Sequence, residues 1–222
     1  ALLTSAALLL SLFYFSEGII HQSKQILYRD RIIYSQQSDY QDIVVTKSHK
    51  DQRLYLNGGL QYSSRDEYRY TESLVYPAIT DTTKNVLIIG GGDGLAAREL
   101  IKMNLKVTQV ELDPQVILVA NTVLREDNNG ALQDPRVQVI TEDAFTWLRQ
   151  GKNPEKYDAI LVDLPDPDNA ILARLYSEEF YAHARKTLTD HGRMVVQASS
   201  AFSTPDVFWR VNSTLQAAGG PK

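Results

Sequence analysis

Between Ile43 and Tyr62 the apolar residues come in short runs: Ile43-Val44-Val45-Thr46, Arg53-Leu54-Tyr55-Leu56 and Leu60-Gln61-Tyr62. The polar turn Ser48-His49-Lys50-Asp51 and the turn Asn57-Gly58-Gly59 separate them. β-Branched and aromatic residues bounded by such turns predict a small unit of antiparallel strands. Ser16 to Tyr34 reads as a connecting helix and linker. Ser64 is expected to cap a helix over Arg65 to Ile79, with Glu67 as its capping-box partner. From Asn85 onward, short apolar runs alternate with helical spacing. The pattern predicts strands at 85–89, 107–111, 136–140, 157–163 and 193–198, and a last helix over Pro205 to Ala217. Val86-Leu87-Ile88-Ile89 and Tyr157 to Asp163 are nearly continuous in apolar residues, as in central parallel strands covered on both faces.

Alternating strands and helices predict an α/β fold. Its core is a doubly wound, mostly parallel, Rossmann-like sheet of the nucleoside-binding type, preceded by a small N-terminal β-hairpin domain. The expected boundaries are 1–37 for the end of a transmembrane helix plus linker, 38–64 for the strand domain, and 65–222 for the Rossmann-like domain. In such sheets ligands bind at the carboxyl ends of the strands. The acids Asp93, Glu111, Asp143 and Asp163 all fall there.

Gly90-Gly91-Gly92-Asp93-Gly94 follows the first of these strands and opens a helical pattern. Glycines let backbone approach a ligand without an intervening Cβ, which marks Gly90 and Gly92 as cofactor-contact positions. Asp93 is anomalous for a phosphate site, because a helix N-terminus ordinarily receives an anion. A carboxylate there suits a cationic ligand group. Glu111 ends the second strand, about 20 residues beyond the glycine turn, where an acid accepts from two ribose hydroxyls. Asp113-Pro114 then starts a helix in ordinary capping fashion. After the third strand, Asp143 can accept from an adenine amino group beside the small Ala144. As an alternative reading, Asp143 is simply a helix N-cap. Asp163, Asp166 and Asp168 crowd a loop stiffened by Pro165 and Pro167. Such a cluster repels itself unless a cation is present, and a diamine fits better than Mg2+, which chiefly wants phosphates as co-ligands.

The net charge of -4 gives no electrostatic case for nucleic acid. The chain has no cysteine, which removes disulfide and thiolate chemistry. His21, His49, His183 and His191 have no metal-ligand spacing, and no metal site is expected. Ala1 to Phe15 carries no charge, although a full span takes about 20 residues. With no initiator Met, it reads as the end of a transmembrane helix in a longer protein. Lys24, Arg29 and Arg31 follow and predict a cytoplasmic position for the rest. The end just beyond the last helix predicts a sheet cut short at its C-terminus.

These motifs resemble the spermidine synthase (polyamine aminopropyltransferase) family. The resemblance is carried by GGGDG at 90–94, VELD at 110–113, EDAF at 142–145, and Val162-Asp163 with Asp166-Pro167. It extends to Tyr40-Gln41-Asp42-Ile43, Leu56-Asn57-Gly58, Leu60-Gln61 and Arg65-Asp66-Glu67-Tyr68, and spans residues 38 to about 200. The N-terminal apolar run is similar to the membrane-attached bacterial branch.

The resemblance implies transfer of an aminopropyl group from decarboxylated S-adenosylmethionine, a co-substrate rather than a cofactor, to a diamine such as putrescine. Spermidine and methylthioadenosine would be the products. It further implies that Gln41 and Glu111 bind the methylthioribose and that Asp143 and Ala144 hold adenine. Asp93 takes the aminopropyl ammonium, Asp163 accepts the proton, and Asp166 grips the far end of the diamine. By the same resemblance Gln61 and Tyr70 would line the amine channel with Thr71 beside them, and a homodimer is expected. Two departures bear on amine choice. Thr71 stands where the family usually has His or Gln, and Asp166-Pro167-Asp168-Asn169-Ala170 replaces an Asp-Pro-x-Gly-Pro loop. Two other readings fit the same fold. One is an S-adenosylmethionine-dependent methyltransferase; the other is a non-catalytic polyamine or nucleoside sensor attached to a membrane domain.

Overall fold

The structure is a computed structural model that describes residues 24–151, 155–167 and 170–219. The apolar run Ala1 to Phe15 and the loop residues Asp168 and Asn169 lie outside the described residues, and with them the membrane-helix reading. No helix among the described residues is long and apolar enough to cross a membrane. The chain divides into two compact units, 1–65 and 66–222.

The first unit holds a four-stranded antiparallel sheet in sequential order: β1 (Arg31–Gln37), β2 (Asp42–Lys47), β3 (Gln52–Leu56) and β4 (Gly59–Ser63). β1 departs from the sequence reading, which made this stretch linker. Among the described residues of that stretch, 24–27 is helical. Its alternation is weak because only Ile32 of the strand is fully buried. Asn57 and Gly58 both have positive φ, 50° and 78°, as a tight hairpin turn requires. The core is Ile43, Val44, Val45, Leu54 and Tyr62.

The predicted helix at 65–79 is shorter: α1 runs Glu67–Val75 and continues as a 3₁₀ turn over Tyr76–Ala78. Ser64 does not cap it. The Ser64 hydroxyl accepts from the Gln52 amide at 2.9 Å, and Asp66 takes the N-cap position without a side-chain bond. Pro77 lacks the N–H that an α-helix would need and favours the tightened end. Glu67 is an ion-pair partner rather than half of a capping box.

The second unit is built on β5 (Asn85–Gly90), β6 (Lys106–Glu111), β7 (Val137–Thr141), β8 (Tyr157–Asp163) and β9 (Leu188–Val196). All four pairings are parallel, and the order is β7-β6-β5-β8-β9. β9 starts earlier and ends earlier than the predicted 193–198, because Leu188 pairs with Tyr157 ahead of a register shift. Between the strands lie α2 (Leu95–Lys102), α3 (Pro114–Asn121), α4 (Ala144–Gln150), α5 (Ala170–Arg174) and α6 (Glu178–Lys186), with α7 (Pro205–Ala217) after β9. Asp113, Asp143 and Ser177 cap α3, α4 and α6 with side-chain hydrogen bonds, as their residue types favour.

Strand alternation divides the core. Leu87, Ile89, Ile160 and Val162 pack with Phe145, Trp147, Phe180 and Tyr181 on one face. Val86, Ile88, Ala159 and Leu161 pack with Ala97, Leu100 and Leu132 on the other. The order reverses between β5 and β8, which is the switch point where open parallel sheets bind ligands. There Gly90 and Asp163 are direct register partners.

Gly90 has φ +81°, and a Cβ there would collide with the Asp163 carbonyl oxygen. Gly151 has a similar backbone, φ +60°, with nothing within 4 Å of a built Cβ. Gly151→Ala therefore costs only left-handed strain, about 1 kcal/mol, whereas Gly90→Ala costs about 2–4 kcal/mol because the strand ends must also part. Urea denaturation followed by tryptophan fluorescence checks the ranking; equal costs would mean that the two backbones are not in close contact.

Candidate active site

The glycine turn is fastened on two sides. The Gly91 amide donates to the Asp163 carbonyl at 3.0 Å, tying it to β8. From β6, the fully buried Gln109 donates its side-chain amide to the carbonyls of Gly90 (3.1 Å) and Gly91 (2.6 Å). Gly92 needs its missing side chain for packing: a Cβ would sit 2.7 Å from Val116 Cγ1 and 2.8 Å from Glu111 Oε2. The turn therefore lies directly against the acid that ends β6.

Asp93 follows, half-buried, with Oδ1 accepting from the Leu95 amide at 2.9 Å. Asn128 is completely buried and holds the Asp93 carbonyl at 2.8 Å. Loss of water first, and the negative charge of Asp163 second, raise the Asp93 carboxyl from its ordinary 3.8 to about 7, against the stabilising Leu95 N–H. Asp163 is raised by burial too, while a hydrogen bond from Tyr70 pulls the other way. Tyr70 stands on α1, 43% exposed as a whole residue, and its hydroxyl donates to Asp163 Oδ1. Desolvation and the charges of Asp163 and Asp93 push the Tyr70 phenol far up, so it stays protonated and remains a donor. Glu111 accepts from the Asp113 amide at 3.0 Å and is itself raised by burial to about 7.

At the strand ends farther along, Asp143 caps α4 through the Thr146 amide at 2.8 Å and also pairs with Arg174 at 2.8 Å. The Arg174 guanidinium lies 4.9 Å from the centre of the Phe145 ring. Ala144 is the first residue of α4 and is buried. The N-cap reading of Asp143 describes its geometry here, with one oxygen engaged by the helix and the other by Arg174. Asp166 accepts from Gln197 Nε2 at 3.2 Å. Gln197 in turn lies 3.1 Å from the Tyr176 hydroxyl, which is 3.1 Å from the carbonyls of Leu164 and Pro165. This brace holds residues 164–166 after β8.

The second unit thus brings Tyr70, Asp93, Glu111 and Asp163 into one electrostatic neighbourhood, with Asp143 and Asp166 on flanking strand ends. Thr71 is buried, and its hydroxyl donates to Glu67 at 3.1 Å rather than being held for a ligand. Gln41 and Gln61 belong to the first unit. Gln41 sits in the turn before β2, its amide bonded to Ser38 Oγ at 3.0 Å, and Gln61 is on β4, its side chain 3.3 Å from the Gly59 carbonyl.

Sequence reasoning missed Gln109, Asn128, Arg98, Arg174, Tyr176 and Gln197. A buried amide inside an apolar strand was the available signal for Gln109; the others act through long-range contacts with no local pattern. Among the described residues no group of three or more His, Asp or Glu side chains is arranged to hold a metal.

A cluster of buried acids at a parallel switch point suits a ligand with positive groups close together. The comparisons agree in kind. The spermine/spermidine synthase domain matches residues 67–220. The chain is 64% identical over 99% of its length to a polyamine aminopropyltransferase of Corynebacterium efficiens, covering 43% of that protein. To the polyamine aminopropyltransferase of Mycobacterium tuberculosis it is 53% identical over 99% of its length, covering 42%. The chain thus spans less than half the length of these curated relatives. Among solved structures, a spermidine synthase in complex with the transition state analogue AdoDATO superposes with a TM-score of 0.78 at 29% identity, over 85% of this chain and 65% of the other. The spermidine synthase of Thermotoga maritima gives 0.76 at 30% identity, over 85% and 64%. With the domain matched across most of the second unit, the chain belongs to the spermine/spermidine synthase family.

Proposed function

We propose that this chain carries the catalytic part of a polyamine aminopropyltransferase, moving the aminopropyl group of decarboxylated S-adenosylmethionine to a diamine such as putrescine. The observation that carries the reading is the shared site of Asp93, Asp163 and Tyr70, whose carboxyls are destabilised as anions until a cation arrives. In the reaction a primary amine nitrogen attacks the methylene carbon beside the sulfonium. The C–N bond forms as the C–S bond breaks, and its electron pair neutralises sulfur, leaving methylthioadenosine.

The amine must attack as a free base. Stripping a proton from an ammonium of pKa about 10.4 at pH 7 costs roughly 4–5 kcal/mol. Asp163 is the proton acceptor, strengthened as a base by its burial. Tyr70 keeps the Asp163 carboxylate oriented. Holding nitrogen and carbon in line contributes more than the base, on the order of 7–11 kcal/mol. Asp93 binds the aminopropyl ammonium and repels the carboxylate that ordinary S-adenosylmethionine would bring, which disfavours the methyltransferase reading. Glu111 takes the ribose, Asp143 and Ala144 the adenine after Arg174 yields its place on Asp143, and Asp166 the amine. Thr71 acts on the amine side only through Glu67 and α1.

We also infer that Ala1 to Phe15 sits in a membrane, with the catalytic part on the cytoplasmic face. The support is the uncharged run and the basic residues after it. Retention of the full-length protein in carbonate-washed membranes checks this, and release into the wash would refute it.

Mass spectrometry of products from decarboxylated S-adenosylmethionine and a panel of amines tests the reaction. Methylthioadenosine with an aminopropylated diamine is expected; a methylated product would favour the methyltransferase reading, and no product with any amine would remove the activity. Asp163→Asn should lower kcat by about 10²–10⁴ while nucleoside affinity stays within about threefold. Turnover equal to that of the unaltered protein would exclude Asp163 as the base.

Asp93 and Glu111 hold protons below about 7 in the empty site. Affinity for the decarboxylated nucleoside therefore rises with pH through that region and levels off above it, and Asp93→Asn removes the Asp93 part of the rise. Titrations across this range decide the point, since a flat profile for the unaltered protein would contradict the cationic assignment.

A further inference from the structure

Arg98 lies on α2, one turn beyond the glycine loop, and is 9% exposed. Every arm of its guanidinium is engaged. Nη2 donates to both oxygens of Glu67, at 2.9 and 3.0 Å, and Nε donates to Glu99 at 2.9 Å. Nη1 donates to the Asp127 carbonyl at 2.7 Å. Lys102 pairs with the same Glu99 oxygen at 2.7 Å, so Glu99 is neutralised from outside and the Glu67 bond falls to Arg98.

The two ends of this bridge lie beside the reacting groups. Glu67 begins α1, and Tyr70 stands three residues on, over the same face of that helix. Glu67 also accepts from Thr71 at 3.1 Å, which fixes the turn that carries Tyr70. At the other end, Asp127 precedes Asn128, whose side chain holds the Asp93 carbonyl at 2.8 Å and the Ala120 carbonyl at 2.8 Å. The Arg98 amide itself bonds the Gly94 carbonyl at 2.9 Å.

We propose that Arg98 is a positioning residue that sets Tyr70 against Asp163 by clamping α1, through Glu67, to the loop that holds Asp93. The planar fork spreads its donors in fixed directions over Glu67, Glu99 and the Asp127 carbonyl; a lysine ammonium supplies charge without that geometry. A merely structural ion pair would stabilise the unit without controlling the tyrosine.

The test uses the full-length protein and reads Tyr70 directly. With tyrosine labelled at Cζ, the Tyr70 carbon resonance is assigned by its loss in Tyr70→Phe. Arg98→Met and Arg98→Lys should both shift it, because the bond to Asp163 is no longer enforced. Glu67→Gln, which keeps the size of the side chain, should shift it too and guards against a fold failure in the arginine variants.

The kinetic arm rests on the aminopropyl-transfer reading. There the amine KM rises about tenfold in Arg98→Met, while the nucleoside KM changes by less than about twofold. In a Tyr70→Phe background the same substitution raises the amine KM by less than about twofold, since the group through which it acts is gone. An unmoved Tyr70 resonance in both Arg98→Met and Glu67→Gln overturns the proposal, as does an undiminished effect in the Tyr70→Phe background. Lack of turnover in the unaltered protein would defeat the transfer reading alone, because the resonance of the empty protein still judges Arg98.

Discussion

Burial of mutually repelling carboxyls at the ends of parallel strands is the constraint on which this site depends. In water Asp93, Glu111 and Asp163 would each ionise freely. Here the protein withdraws solvent from all three and lets Asp163 raise Asp93 further. The folded chain then holds protons that the unfolded chain would release as pH rises from about 4 to about 7, so these groups lower stability over that window. A cation placed among them reverses the sign. The energy withheld from the empty site becomes discrimination for a positively charged ligand.

Such a site needs a rigid frame, since carboxyls that could swing into water would lose the effect. Register supplies the frame. Gly90 pairs with Asp163 across the switch point, and their backbones are too close for any other residue at 90. Gln109 holds the glycine carbonyls from β6, and the Tyr176–Gln197–Asp166 chain holds the loop beyond β8. Arg98 extends the same frame to α1, so the tyrosine that orients Asp163 is located by contacts remote from the reacting atoms. Each support is a hydrogen bond to a group that the apolar core leaves at its edge.

The parallel strands were legible because their apolar runs are long and end in acids. Val86 to Ile89 and Tyr157 to Asp163 have no plausible home except a sheet covered on both sides. The glycine turn and the acids at 93, 111 and 163 were legible for a chemical reason: each is costly unless used. β1 escaped notice because its residues are mostly half-exposed and polar. Ser64 misled because its hydroxyl meets the amide of Gln52, a partner twelve positions back that no local rule identifies. The same holds for Arg98, whose bond to Glu67 spans a turn, a strand and a glycine loop.

Counting protons on binding tests the central claim most directly. Calorimetric titration of the empty protein with decarboxylated S-adenosylmethionine, at about pH 6.5 in two buffers of different ionisation enthalpy, gives that number. The raised carboxyls predict net proton release as the cation favours their ionised forms. No exchange, or net uptake, would mean that the acids were already charged in the empty protein and that their burial does not govern binding.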